Sequence, residues 1–435
     1  MPRATNRLLT LLLLPLSFVA GSALAFTPEE IAAAAAHVGP LAPIVAELAD
    51  DALAGRDNES DGSLAAQELL IGWLSKVAEP LDDALPGDDA YRQPFLSFRG
   101  EGTNLLGVIR GGALPDEYVV VGAHYDHLGS SCTSVAPGNT ICNGATDNAA
   151  GVAAVIGIAR AIDALPTPPR RSVVLALWDA EEDGFVGSLH YVENDEIAPL
   201  SATVAHLNLD IQGANLSPSL RATSYAVGAE TGGAELGALV ESAIGAEALE
   251  TQRLSFAFGG GQSDDINFVE RGVPAVFLSD FVSACYHTSG DELTIVDFAK
   301  LREQTRIGFR LALELAETTT PPVFDAYFDS PRASFEDALA LSKVFADLQD
   351  DLALFAPDQQ AELLDARANV ESVIDAGPDA FDSGSARTLI RAERAMSAAL
   401  TSLPCDPAIV PEPAATLAGA SALASLLALG RRRRR

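Results

Sequence analysis

The residues best suited to chemistry sit in five short stretches, each at the end of an apolar run or beside the start of a helix. Val119-Val-Val-Gly-Ala-His-Tyr-Asp126 closes a β-branched run with His124 and Asp126 two positions apart, and in extended chain residues i and i+2 share a face. Gly144-Ala-Thr-Asp-Asn-Ala-Ala-Gly151 places Asp147 just before a helix of small residues. The apolar strand ending at Trp178 empties into Asp179-Ala-Glu181-Glu182; adjacent glutamates at a strand end can diverge, one toward a metal and the other toward a substrate or water. His206-Leu-Asn-Leu-Asp210 ends a further run with a carboxylate, and Tyr286-His287-Thr-Ser-Gly-Asp291 precedes a helix. Singly, each has an ordinary explanation: Asp147 as a helix N-cap, Glu181 to Asp183 as a solvated turn. Together they bring imidazoles and carboxylates to strand ends, where α/β sheets bind ligands.

Two histidines with three or four carboxylates make a nitrogen–oxygen set suited to zinc, and the lack of cysteine in it argues against a structural zinc site. The set exceeds what one catalytic zinc takes. Two metals sharing a bridging carboxylate use it fully, with a water held between them whose proton a nearby Glu can take.

The elements that must position these residues alternate. Short β-branched runs at residues 104–110, 117–123, 172–178, 203–210 and 275–279 are separated by helical patterns at 149–165, 187–194, 233–244 and 296–317. Alternation predicts an α/β fold, with a mixed, mainly parallel central sheet and helices on both faces. Residues 26–317 read as one domain, opened by Ala-rich helical segments. Tandem proline at Pro321-Pro322 marks a linker over 318–332. Apolar spacing of three and four residues over 333–403 then predicts a small all-α module. With 28 basic against 60 acidic residues and a net charge of −32, a nucleic-acid partner is excluded on electrostatic grounds.

Both ends carry targeting patterns. Arg3 and Arg7, an apolar run and Ala23-Leu-Ala25 read as an export signal over 1–25. An exported chain can oxidise its cysteines. Of the three pairings open to Cys132, Cys142, Cys285 and Cys405, Cys132 with Cys142 is expected, because both lie in one Gly/Pro/Ser-rich loop; partners for Cys285 and Cys405 stay open. Val410-Pro-Glu-Pro413 precedes an uncharged span over 414–430 and five terminal arginines. The segment 404–435 resembles the PEP-CTERM sorting signal of exported bacterial proteins, which implies a temporary membrane span and processing by an exosortase-type enzyme.

The ordered motifs His-x-Asp, Gly-Ala-x-Asp-Asn-x-x-Gly, Glu-Glu-x-Gly-x-x-Gly-Ser, Asn-Leu-Asp and Tyr-His-Thr resemble the secreted co-catalytic di-zinc aminopeptidases, the M28-type family that includes glutamate carboxypeptidase. Leu53-Ala-Gly-Arg56 is similar to that family's opening segment. The resemblance implies two Zn2+ bridged by Asp147, with His124 and Asp210 completing one metal and Glu182 and His287 the other. It implies Glu181 as the general base and Asp126 behind His124, holding its second ring nitrogen. His127, His190 and His206 match no ligand position and are read as structural. The chain departs from the family at Ser263-Asp264-Asp265, where members often carry Ser-Asp-His; that puts specificity or oxyanion contacts in doubt, though no zinc ligand is lost. The function expected is an exported aminopeptidase acting on peptide substrates. A carboxypeptidase, a one-zinc acyltransferase of the glutaminyl cyclase type and a non-catalytic envelope module are the alternatives.

Overall fold

A computed structural model describes residues 26–82, 84–194, 197–325 and 333–406. The expected export signal at 1–25, part of the expected linker (326–332) and nearly all of the expected sorting segment (407–435) lie outside the described residues.

Nine strands form one sheet: β1 Glu79–Pro80, β2 Arg92–Leu96, β3 Glu101–Ile109, β4 Leu114–His124, β5 Arg171–Trp178, β6 Thr203–Leu209, β7 Thr223–Val227, β8 Glu250–Leu254 and β9 Ala275–Ser279. Their order is β1-β3-β5-β4-β6-β9-β7-β8, with β2 paired to β3. The central strands β5, β4, β6 and β9 run parallel, and antiparallel pairings occur on both flanks. Strands β4 and β5 are buried almost throughout their paired length, as expected where helices cover both faces. Strands β7 and β8 escape the apolar-run criterion: β8 is a partly exposed edge strand, and β7 is buried throughout although it opens with Thr223 and Ser224.

The helices of the main domain are α1 Pro28–Ala35, α2 Ala42–Leu48, α3 Asp61–Leu74, α4 Ala150–Asp163, α5 Val186–Glu193, α6 Gly233–Gly245, α7 Asp265–Val269 and α8 Phe298–Glu317. By composition Pro28–Leu48 could cross a membrane. Its Ile31, Val38, Ile44, Val45 and Leu48 are instead sunk in the main core with α4, α8 and the sheet. On the opposite face Trp178, Tyr191, Phe268 and Val273 form a second apolar cluster. From β4 the chain passes through α4 to β5 on one side, then through α5 to β6 on the other. The winding therefore reverses at β4, and the crevice beyond its carboxyl end is where such sheets take ligands.

Three helices follow: α9 Phe335–Leu348, α10 Pro357–Ala376 and α11 Ser383–Thr401. Their apolar faces share a core with Leu220, Tyr225, Val227, Leu254, Phe258 and Phe277 of the sheet domain. This all-α module is thus docked on the β7–β8–β9 end of the sheet.

Candidate metal centre

Every expected ligand lies at the β4 end of the sheet. His124 is the last residue of β4, in register with Trp178 of β5; Asp210 follows β6 directly. Glu181 and Glu182 follow β5 on a turn that Ala180 enters with a positive φ of 55°. Asp147 precedes α4 without capping it: its backbone is non-helical, the helix starts at Ala150 with no side-chain cap, and the Asp147–Asn148 peptide is cis. His287, with φ 53°, comes from the loop between β9 and α8.

Nε2 of His124 stands 3.2 Å from Oδ1 of Asp147 and 3.2 Å from Oδ1 of Asp210. Nε2 of His287 stands 3.3 Å from Oδ2 of Asp147 and 3.2 Å from Oε2 of Glu182. Donors held 2.0–2.2 Å from a tetrahedral zinc are roughly 3.4 Å apart, so these separations are the edges of two coordination polyhedra. The two oxygens of Asp147 face different histidines, the disposition a bridging carboxylate needs. A carbonyl can only accept, so the 3.2 Å bond between Nδ1 of His124 and the main-chain oxygen of Asp126 fixes Nδ1–H as the donor. That leaves Nε2, which faces Asp147 and Asp210, as the atom a metal would take. Asp147 and His124 are almost wholly buried, and Nε2 of His287 and Oε1 of Glu182 are buried without a hydrogen-bond partner. Buried polar atoms are nearly always satisfied, and a cation between His287 and Glu182 would satisfy these. On donor chemistry, spacing and unmet polar atoms, the residues fit two zinc ions.

The electrostatics agree. Burial would lower the His124 pKa, but Glu181, Asp210, Asp126 and Asp147 raise it well above its ordinary value. His287 is likewise carried up to about 10, against burial, by Asp147 and Glu182. Burial would raise the Asp147 pKa, but the His124 and His287 imidazoles beside it hold it well below the carboxylate range. Without metal the cluster keeps protons on its imidazoles, and an entering cation displaces them. Glu181 is pushed well up, first by burial and then, against the pull of His124, by Asp210, Asp264 and Glu182.

The two glutamates diverge. Oε2 of Glu181 lies 3.9 Å from Nε2 of His124, while Glu182 turns to His287. Asp126 acts chiefly on this turn: its carboxylate accepts from the Glu181 and Glu182 amides at 3.1 and 3.2 Å, and stands 3.5 Å from Nδ1 of His124, farther than its own main-chain oxygen.

Three residues in or behind the centre carry roles not read from the sequence. Asp291 is buried, and its carboxylate accepts from the Thr146 amide (2.8 Å), the Thr146 hydroxyl (2.9 Å) and the Asp147 amide (3.0 Å), tying the His287 loop to Asp147. Arg56 is fully buried and donates to the main-chain oxygens of Leu48, Tyr125, Asn143 and Gly144, bracing both stretches that lead to His124 and Asp147. Burial lowers its pKa to about 10, opposed by the surrounding carboxylates. His127, read above as structural, lies inside the cluster with Asp147 and Glu182; nothing in its local sequence signals this. His206 stacks on Phe268 at 3.9 Å in the apolar core and His190 on Phe95 at 5.5 Å, both away from the ligands. Asp265, where the resemblance has histidine, is buried and bonded to the Gly261 amide.

Two disulfides flank the centre. Cys132–Cys142 closes the loop between His127 and Asp147, as expected, and Cys285–Cys405 joins the His287 loop to the end of the all-α module. A β-bridge between Thr133 and Thr288 connects the two loops.

Comparison with known proteins places this geometry. The model of peptidase family M28 matches residues 104–311. A probable glutamate carboxypeptidase, LAMP1 of Arabidopsis thaliana, is 33% identical over 218 residues, covering 46% of this chain and 30% of that protein. The chain therefore spans less than a third of that relative. Leupeptin-inactivating enzyme 1 of Streptomyces exfoliatus is 28% identical over 343 residues, covering 71% of this chain and 68% of its own length. The crystal structure of LapA aminopeptidase from Legionella pneumophila superposes with a TM-score of 0.54 at 19% identity, over 73% of this chain and 81% of that one, a likeness of fold. The likeness to peptidase family M28 thus lies over residues 104–311, the stretch that holds all five expected ligands.

Proposed function

We propose that the chain is an exported zinc-dependent exopeptidase that removes N-terminal residues from peptides. The observation carrying this reading is the pair of ligand groups that share Asp147 at the reversal point of the sheet, with Glu181 beside them. When bound, two zinc ions would polarise a water and the scissile carbonyl and bring the water's pKa down toward about 7. Glu181 accepts that proton on its carboxylate and returns it to the leaving amine; burial raises its pKa, which makes it a stronger base than an exposed carboxylate. Asp126 holds the Glu181–Glu182 turn and Asp291 the bridging residue, so the reacting groups keep their places without reorganisation.

Aminopeptidase is favoured over carboxypeptidase because the described residues between 57 and 104 hold only α3, β1, β2, the start of β3 and short turns, with no inserted domain beside the site. The name of the Arabidopsis relative keeps carboxypeptidase as the second reading. Export is supported by the signal pattern at 1–25 and the two disulfides, and Pro411-Glu412-Pro413 with its apolar span and arginines supports processing by an exosortase-type enzyme. The test is chromophore release from amino-acid anilides with zinc supplied. Wild type should be active, and Glu181→Gln should lose ~10²–10⁴-fold in kcat while keeping its metals. A wild type inert toward both free and N-blocked peptides overturns the enzyme reading; cleavage of N-blocked peptides alone selects the carboxypeptidase.

A further inference from the structure

His127 leaves β4 three residues after His124, its amide bonded to the main-chain oxygen of Arg56 at 3.4 Å. The ring is almost wholly buried, and it lies against the chain at Gly144, where a Cβ would stand 2.6 Å from its Cγ and Cδ2. Gly144 itself has a φ of 54°, so this glycine serves both a left-handed turn and the close approach of the imidazole. The ring is thereby fixed with Nδ1 2.7 Å from Oε1 of Glu182 and 3.9 Å from Oδ2 of Asp147.

That short separation is an ion-pair contact whose angle falls short of an ordinary hydrogen bond. Neither ring nitrogen of His127 has a hydrogen-bond partner, and Oε1 of Glu182 has none either. Leaving such buried groups unmet is costly, and here two of them meet at ion-pair distance without an ordinary hydrogen bond. Nε2 of His287 is unpartnered in the same way beside the other oxygen of Glu182. Two imidazoles thus flank one carboxylate, with Oδ2 of Asp147 near both. Unpartnered donor atoms converging from three side chains on one focus are the signature of a cation site.

We propose that Nδ1 of His127 is a ligand of the second metal, beside Asp147, Glu182 and His287. The proposal rests on the two-metal reading above. It makes the two positions unequal. The second would have four protein ligands and the first three, His124, Asp147 and Asp210. The second metal is then the one held more tightly, and the first the one more open to substrate.

The decisive measurement is on the wild-type full chain, loaded with cadmium and labelled at the histidine ring nitrogens. Direct cadmium–nitrogen couplings to three imidazoles, one lost in His127→Asn, support the proposal; couplings to two imidazoles only, with His127 uncoupled, overturn it. A competition titration adds a second readout. His127→Ser should weaken the tighter of two sites by more than ~100-fold, beyond the cost of removing a residue that only orients a ligand. An affinity unchanged in His127→Ser, with wild type binding two metals, sinks the proposal and leaves the two-metal reading intact. Fewer than two metals in wild type sinks that reading, and the proposal with it.

Discussion

The two halves of the metal centre are built differently. His124 and Asp210 are delivered by the ends of adjacent parallel strands, β4 and β6, and both are almost wholly buried. Glu182 and His287 arrive on turns, and the His287 side chain remains 34% exposed. In the first half the sheet register sets ligand spacing at no further cost. In the second, spacing depends on loop braces: the two disulfides, the Thr133–Thr288 bridge and the Asp291 carboxylate. A ladder of main-chain hydrogen bonds holds residues independently of their side chains, whereas a loop has only the contacts its sequence supplies.

Asp147 belongs to both halves, and its replacement gives the largest expected effect. Asp147→Ala should leave at most one metal per chain by elemental analysis and abolish peptide hydrolysis; retention of two metals would break the bridged arrangement. Asp291→Ala comes next. Removing the acceptor of the Thr146 and Asp147 amides should weaken metal binding by ~10–100-fold, and a competition titration should show both sites affected, since the bridging residue serves both. The smallest effect sharpens the contrast most. Opening Cys285–Cys405 with paired serine substitutions should weaken the second site by less than ~10-fold, below the cost of losing a ligand's hydrogen-bonding partner, and leave the first unchanged. Equal weakening of both sites would show that the halves are one mechanical unit. Cys132→Ser should act in the same direction and loosen metal before it unfolds the domain.

Legibility in the sequence follows the same division. Runs ending at His124, Trp178 and Leu209 announce strands, so the residues just beyond them could be placed at one sheet end without coordinates. The three helices of the all-α module were equally plain from their periodicity. Its docking was not, because Tyr225 and Val227 meet α9–α11 only through tertiary packing. Asp291 stood inside a recognised motif, yet its bonds to residues 144 and 145 positions away have no local trace. His127 was passed over for a related reason: a histidine three residues beyond another, past a strand end, obeys no periodicity. Only the fold shows it facing Glu182. Arg56 was visible as part of a resemblance, but its four main-chain bonds join segments up to 88 residues apart.

Cys285–Cys405 closes a span of 120 residues and lies beyond the last residue of α11. Tension on the chain past Asp406 therefore passes directly across the sulfurs into the loop of His287, bypassing the three helices. If the chain is held by its C-terminal end, the anchor point is the rim of the metal centre itself. Strain on the tether would be felt two residues from a ligand while α9–α11 carried no load.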